Sequence, residues 1–175
     1  MVFLDRMVEI SFNHLGILGK ELNKPINLMG GWAVHIIVNE NFKKEEGREY
    51  IGSKDIDIGF DIDMGWSIEE LKNSQISKTF SILKDIGFVG YGFRFRKDFE
   101  YDSGKELSNG ESRIMQPYDI INMCVDPLVK CTHHKFKELF GFSPIEEKLL
   151  ENFFNSKEHQ QTISLGGIEL TLPSP

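Results

Sequence analysis

An α+β fold, a short mixed β-sheet flanked by helices, is what this 175-residue sequence predicts. Hydrophobic spacing switches repeatedly along the chain between a helical period and strict alternation. The resulting order is helix, strand, helix, strand, helix and then strands, which a mixed sheet covered by helices accommodates. With 40% hydrophobic side chains, 14 of them Phe, the chain can bury one core, so a single domain over 1–175 is expected.

In "DRMVEISFNHLGILGKELN", Met7, Ile10, Leu15, Ile17 and Leu18 fall near helical spacing and predict a first helix over 5–23. Pro25 ends it, and "INLM" follows as a short buried strand. A second helix is expected to begin directly at Gly30-Gly31, with Trp32, Ala33, His35, Ile36 and Ile37 in its body and the polar "NENFKKEEGREY" as an exposed exit loop. In "KDIDIGFDID", Ile56, Ile58, Phe60 and Ile62 alternate with Asp55, Asp57, Asp61 and Asp63, so the strand has one apolar and one acidic face. Ser67 with Glu70 three residues on is a capping box; it opens a helix that closes at Gly87.

"FVGYGFRFRKDFEYD" and "PYDIINMCVDPLV" predict two further strands joined by a polar loop, the second ending at Asp126-Pro127. "SPIEEKLLENFF" predicts a helix with Pro144 in its first turn. "TISLGGIELTL" reads as a hairpin turning at Gly166-Gly167. The core is expected over about 5–130, with the last helix and hairpin, 143–172, as an addition to it.

Several function classes are disfavoured. A net charge of −7 is opposite to the footprint that generic DNA binding requires, though a local patch could hold a nucleotide or a tRNA end. No apolar run reaches the roughly 20 residues of a membrane span, and the first residues lack the basic-then-apolar order of a signal peptide, so a cytoplasmic location is expected. Cys124 and Cys131 lie seven apart with no C-x-x-C, which argues against a disulfide framework or zinc.

The chemistry concentrates in two places. Asp55 and Asp57, at i and i+2 on a strand, point the same way at about 7 Å along the chain. Half-buried, they repel, and one would protonate unless a cation sits between them. Mg²⁺ suits the pair, because it takes one or two carboxylates and completes its shell with water and phosphates. A helix opening on Gly30-Gly31 offers backbone N–H groups, and the positive end of its dipole, to an anion. Taken singly, a solvated strand face and a tight turn explain these features; together they describe a metal and nucleotide site.

Gly30-Gly31-Trp32-Ala33-Val34 followed by Gly52-Ser53-Lys54-Asp55-Ile56-Asp57-Ile58 resembles the signature of the polymerase-β-like nucleotidyltransferase superfamily. The resemblance is nearest to the branch of aminoglycoside and lincosamide nucleotidyltransferases and AbiEii-type toxins. It is specific over 26–62 and diffuse from there to 129. It implies a minimal nucleotidyltransferase fold and a cleft where a nucleoside triphosphate such as ATP meets two Mg²⁺ ions. An NMP would pass to an acceptor hydroxyl with release of pyrophosphate. Carried over, Asp55 and Asp57 are metal ligands, and Gly30, Gly31 and Ser53 cradle the triphosphate. Many members of the branch carry Arg four residues before the first aspartate, where this chain has Ile51; Lys54 or Arg48 could supply that charge.

The resemblance also calls for a third carboxylate on a neighbouring strand. Asp126 is the choice and Asp119 the rival, with a strand-end cap before Pro127 as the plain reading of Asp126. His133-His134, being sequential, are expected to point apart and not to bind metal. Arg94 and Arg96 share a face and could contact phosphate or acceptor, or pair with the acidic strand. Asp61 and Asp63 read as solvated or capping. The alternatives are a nucleotidyltransferase-fold antitoxin or binding module working with a partner, and a purely structural domain. The acceptor stays open among a small molecule, a protein and a tRNA end. The terminal hairpin and "PSP" resemble the lead-in to a helical lobe, so the chain is expected to be the nucleotide-binding portion of a longer unit, its cleft completed by a lobe on an extended chain, by a helical partner protein or by a homodimer, with an exposed apolar patch where the lobe would dock.

Overall fold

The computed structural model describes residues 2–22 and 24–174, the side chains of residues 2–5 excepted. Helix α1 (Val2–Leu22) leads into β1 (Ile26–Met29), α2 (Gly30–Glu46) and β2 (Asp55–Phe60). Then come α3 (Ile68–Asn73), α4 (Gln75–Asp85), the strands β3 (Val89–Tyr91), β4 (Arg94–Glu100) and β5 (Glu106–Leu107), and α5 (Asn109–Ile114). The long strand β6 (Ile120–Val129) is followed by α6 (Phe136–Phe140), β7 (Ile145–Glu146), α7 (Leu150–Asn155), β8 (Gln160–Leu165) and β9 (Ile168–Pro173). Among the described residues no helix is long and apolar enough to cross a membrane.

The protein is α+β, with one open mixed sheet flanked by helices. Its strand order is β3-β4-β6-β2-β1-β9-β8, with β5 added to β4 and β7 to β6. β2 runs parallel to β6, β1 parallel to β9 and β7 parallel to β6; the other pairs are antiparallel. The terminal hairpin therefore belongs to the main sheet, and Leu170 and Leu172 join the same core as Ile26 and Leu28.

Period-two alternation decides the two faces. Leu28, Ile56, Ile58, Phe95 and Val125 are buried on one side, against Leu15 and Leu18 of α1 and Leu71, Phe80 and Leu83 of α3 and α4. Trp32 of α2 is fixed by its indole N–H, which donates to the buried Ser11 hydroxyl at 2.8 Å. On the opposite side, Met29 packs with Leu150 and Phe153 of α7 in a separate small cluster. The sheet thus has a deep core on one face and an incompletely covered face on the other.

Several expectations need correction. The polar run after Ile37 stays helical to Glu46, because Asn39 accepts the Tyr50 N–H at 2.7 Å and Lys43 and Lys44 suit the C-terminal end of the dipole; only at Gly47 (φ 67°) does the chain leave. The helix opened by the Ser67–Glu70 box breaks at Ser74, whose hydroxyl caps the next helix by accepting from Ser77 N–H. Gly87 closes that second helix with φ 92°. The strand expected over 88–102 is a hairpin that reverses at Gly92 (φ 65°). The polar loop beyond it contains β5 and α5, the latter opened by a second capping box, Ser108 with Glu111.

Asp126-Pro127 does not end its strand. β6 continues to Val129, and Pro127 sits where the neighbour changes: pairing to β4 runs up to Phe95↔Val125, and pairing to β7 starts at Leu128↔Ile145. A missing ladder N–H is tolerated at such a gap. The helix expected from Pro144 is shorter, since Ile145 and Glu146 pair with β6 and α7 forms only over Leu150–Asn155. Gly166 and Gly167, at φ 58° and 83°, make the two-residue turn of the last hairpin. Asn23 and Pro175, the ends of the expected first helix and of the "PSP" run, lie outside the described residues.

Candidate functional site

β2 carries Asp55 and Asp57 to the face opposite the core. β6 lies parallel beside it with Asp57↔Asp126 in register and Asp55↔Cys124 one step earlier. Lateral partners share a face, so the carboxylates of Asp55, Asp57 and Asp126 gather on two central strands. Asp119 ends the 3-10 turn just before β6, seven residues from Asp126 and about 20 Å away at the rise of a strand, and takes no part.

Gly30 and Gly31 are pressed against the same group. Gly30 has φ 60°, and a Cβ there would lie 1.9 Å from Asp57 Oδ2. A Cβ on Gly31 would lie 2.9 Å from Ser53 Oγ, a hydroxyl that accepts the Asp55 N–H at 3.3 Å. The glycine pair exists because helix α2 starts in contact with the carboxylate strand and the turn before it. Met29, at the N-cap, makes no side-chain cap, and the first turn of α2 holds no acidic residue, so the positive end of a 17-residue helix meets the site without an internal anion.

Burial raises the pKa of the Asp57 carboxyl, Asp55 adds to the rise and Arg94 opposes it. Burial also pushes Asp126 up to about 6, against the pull of Arg94 and with a further push from Asp57 and Asp55. Arg94, the first residue of β4, donates from Nη2 to Asp126 Oδ2 at 2.6 Å. Three polar atoms here are buried with no hydrogen-bond partner among the described residues: Asp55 Oδ1, Asp126 Oδ1 and Arg94 Nε. Buried polar atoms are rarely left so, and two carboxylate oxygens in this state are what a cation would satisfy.

Among the described residues no three His, Cys, Asp or Glu side chains form a ready metal cage. Asp126 is turned to Arg94, which leaves Asp55 and Asp57 as a two-carboxylate pair. That donor set fits Mg²⁺, which keeps waters and substrate phosphates in most of its shell.

The other candidates are accounted for separately. Lys54 is exposed and forms no ion pair among the described residues. Arg48 stacks over Phe42 at 5.0 Å. The cation that reaches the carboxylates is Arg94, and its alternation with Phe95 and Arg96 gave the face but not the partner. Arg96 pairs with Asp98 on its own strand, at 2.6 and 2.9 Å. Asp61 binds Lys130 at 2.7 Å, and Asp63 accepts the Gly65 N–H at 2.8 Å. His133 donates from Nε2 to the Trp66 carbonyl at 3.0 Å and accepts the Lys135 N–H at Nδ1. Its ring stacks on His134 at 4.5 Å instead of pointing apart, because the pair lies in a turn outside regular structure.

Beside Gly30 and Asp57 opens a cleft of about 510 Å³, walled by Met29, Leu128, Leu150 and Phe153, with the exposed Leu149 at its mouth. Its size falls in the range of small-molecule sites. No family model, no curated protein and no solved structure matches the chain.

Proposed function

We propose that this protein is a Mg²⁺-dependent nucleotidyltransferase of the minimal nucleotidyltransferase fold, moving an NMP from an NTP to an acceptor hydroxyl with release of pyrophosphate. The observation that carries the proposal is the contact of Gly30 with Asp57, beside Asp55 and Asp126 in register, with buried carboxylate oxygens left unpartnered. Asp55 and Asp57 would hold the metal, with Asp126 joining them for a second ion. Bound there, Mg²⁺ would neutralise charge on the transferring phosphate and on the entering and leaving oxygens. The backbone of Gly30 and Gly31 at the start of α2 receives the phosphates, and Ser53 shapes that turn. Lys54 lies beside it, exposed. The apolar cleft orients an organic portion of a substrate.

The test is calorimetry of Mg·NTP binding, followed by transfer from radiolabelled NTPs to small-molecule, protein and tRNA acceptors. Asp55→Asn and Asp57→Asn are expected to abolish metal-dependent NTP binding while the fold survives, since relief of repulsion does not destabilise a carboxylate cluster. Asp126→Asn is expected to cost at least about a hundredfold in turnover and little in NTP affinity. Undiminished binding in both β2 variants would place the site elsewhere.

One observation favours a second reading. Arg94 already supplies a cation to Asp126, as a binding module or an antitoxin acting with a partner could retain without turnover. NTP binding with no transfer to any acceptor in the screen would select it.

A further inference from the structure

We infer that Arg94 is a displaceable counter-ion, holding Asp126 while no divalent cation is bound and moving to the ligand's phosphates when metal and nucleotide enter. The inference rests on the metal and nucleotide reading above and concerns what in this chain grips the phosphates.

Two arginines of the same strand, each paired with an aspartate, make the case by contrast. Arg96 engages Asp98 through both Nε and Nη2, the two-point arrangement of a settled ion pair. Arg94 reaches Asp126 through Nη2 alone and also hydrogen-bonds the Cys124 side chain, while its Nε and the second oxygen of Asp126 are buried and unpartnered. The pair is close but geometrically incomplete. Arg94 is also free to leave. It is the first residue of β4, two positions from the Gly92 turn, and its side chain is 29% exposed where that of Asp126 is 6% exposed. Its guanidinium already lies 5.0 Å from the centre of the Phe93 ring, a surface on which it can rest when it swings outward.

Charge gives the order of events. Three ionised carboxylates and one guanidinium leave two negative charges. A divalent cation cancels them, after which Asp126 no longer needs Arg94. A triphosphate then brings negative charge to a site where Arg94 already stands beside the carboxylates.

Titration of the full chain with Mn²⁺ as the probe metal, then with tripolyphosphate in the presence of Mn²⁺, tests this. Arg94→Gln is expected to bind Mn²⁺ about tenfold more tightly than the parent and tripolyphosphate about tenfold more weakly. Arg94→Lys, which keeps the charge without the fork, should fall between the two in both titrations, and it carries the test if Arg94→Gln does not fold. An Arg94 that only holds the structure together would move Mn²⁺ affinity downward or not at all, and either result would overturn the inference, as would unchanged tripolyphosphate affinity. Failure of the parent reading looks different: no form binds Mn²⁺, or Asp55→Asn leaves Mn²⁺ binding intact, and the inference falls with it.

Discussion

Asp126 is a carboxyl group whose place in the sheet sets it against its own ionisation. Its pKa stands at about 6 against an ordinary 3.8, so between those values the folded chain holds a proton that the unfolded chain has released. Stability is therefore present below about pH 4 and lost as pH rises through about 6, and Asp57, raised for the same reasons, adds to the slope. In metal-free buffer, Asp126→Asn is expected to flatten that slope and raise stability at pH 7 by on the order of 1 kcal/mol, read from urea midpoints at pH 5 and 7. His14 works in the opposite direction. Buried between Phe88 and Phe99, its pKa is lowered by burial and by Lys97, against its bond to the Ile10 carbonyl. Its contribution is present above about pH 6.5 and lost as pH falls through its lowered folded value. His14→Gln should make the chain less sensitive to mild acid in the same urea experiment, and an unchanged profile would show that His14 is solvated after all.

At the scale of elements, the start of α2 is a tightly constrained joint. Gly30→Ala meets both an unfavourable positive φ, about 1 kcal/mol, and the Asp57 carboxylate, so a loss of about 2 kcal/mol or more is expected. In an Asp57→Ala background, where only the Cβ at 3.2 Å remains in the way, the same change should cost little more than the backbone part, and additive losses in that double-mutant cycle would contradict the contact. The glycine pair and the Asp-Ile-Asp alternation were both visible as local patterns, and the faces they imply are those observed. What no local pattern encodes is which strand lies next to which. That Arg94, not Lys54 or Arg48, meets the carboxylates depends on β4 pairing with β6 in one register, and that Asp126, not Asp119, stands beside Asp57 depends on β6 pairing with β2 in another. Serines misled in both directions for one physical reason: a hydroxyl that can cap a helix interrupts it at Ser74 and starts one at Ser108 inside an apparent loop. Pro127 read as a strand end because a proline removes a ladder bond, yet the strand passes through it where the flanking neighbour changes.

Across the whole molecule, the terminal hairpin completes the sheet on the side of β1. Removal of 160–173 would take the buried Ile168, Leu170 and Leu172 out of the core, about 5 kcal/mol of apolar burial, which is comparable with the whole net stability of a domain. The shortened chain is expected to lose its cooperative thermal transition by circular dichroism; a sharp transition near that of the full chain would show the hairpin to be dispensable. The parallel pairing of Ile26 with Leu170 has a consequence for synthesis. The strand that presents Met29 and Gly30 to the carboxylates is made long before its outer neighbour. A ribosome part-way through this message holds a chain that has Asp55, Asp57 and Asp126 in covalent order but no edge to keep β1 in place beside them. Contacts so distant in sequence form slowly and late. The newborn chain therefore lacks the edge that holds β1 beside the three carboxylates until residues 168–173 have emerged.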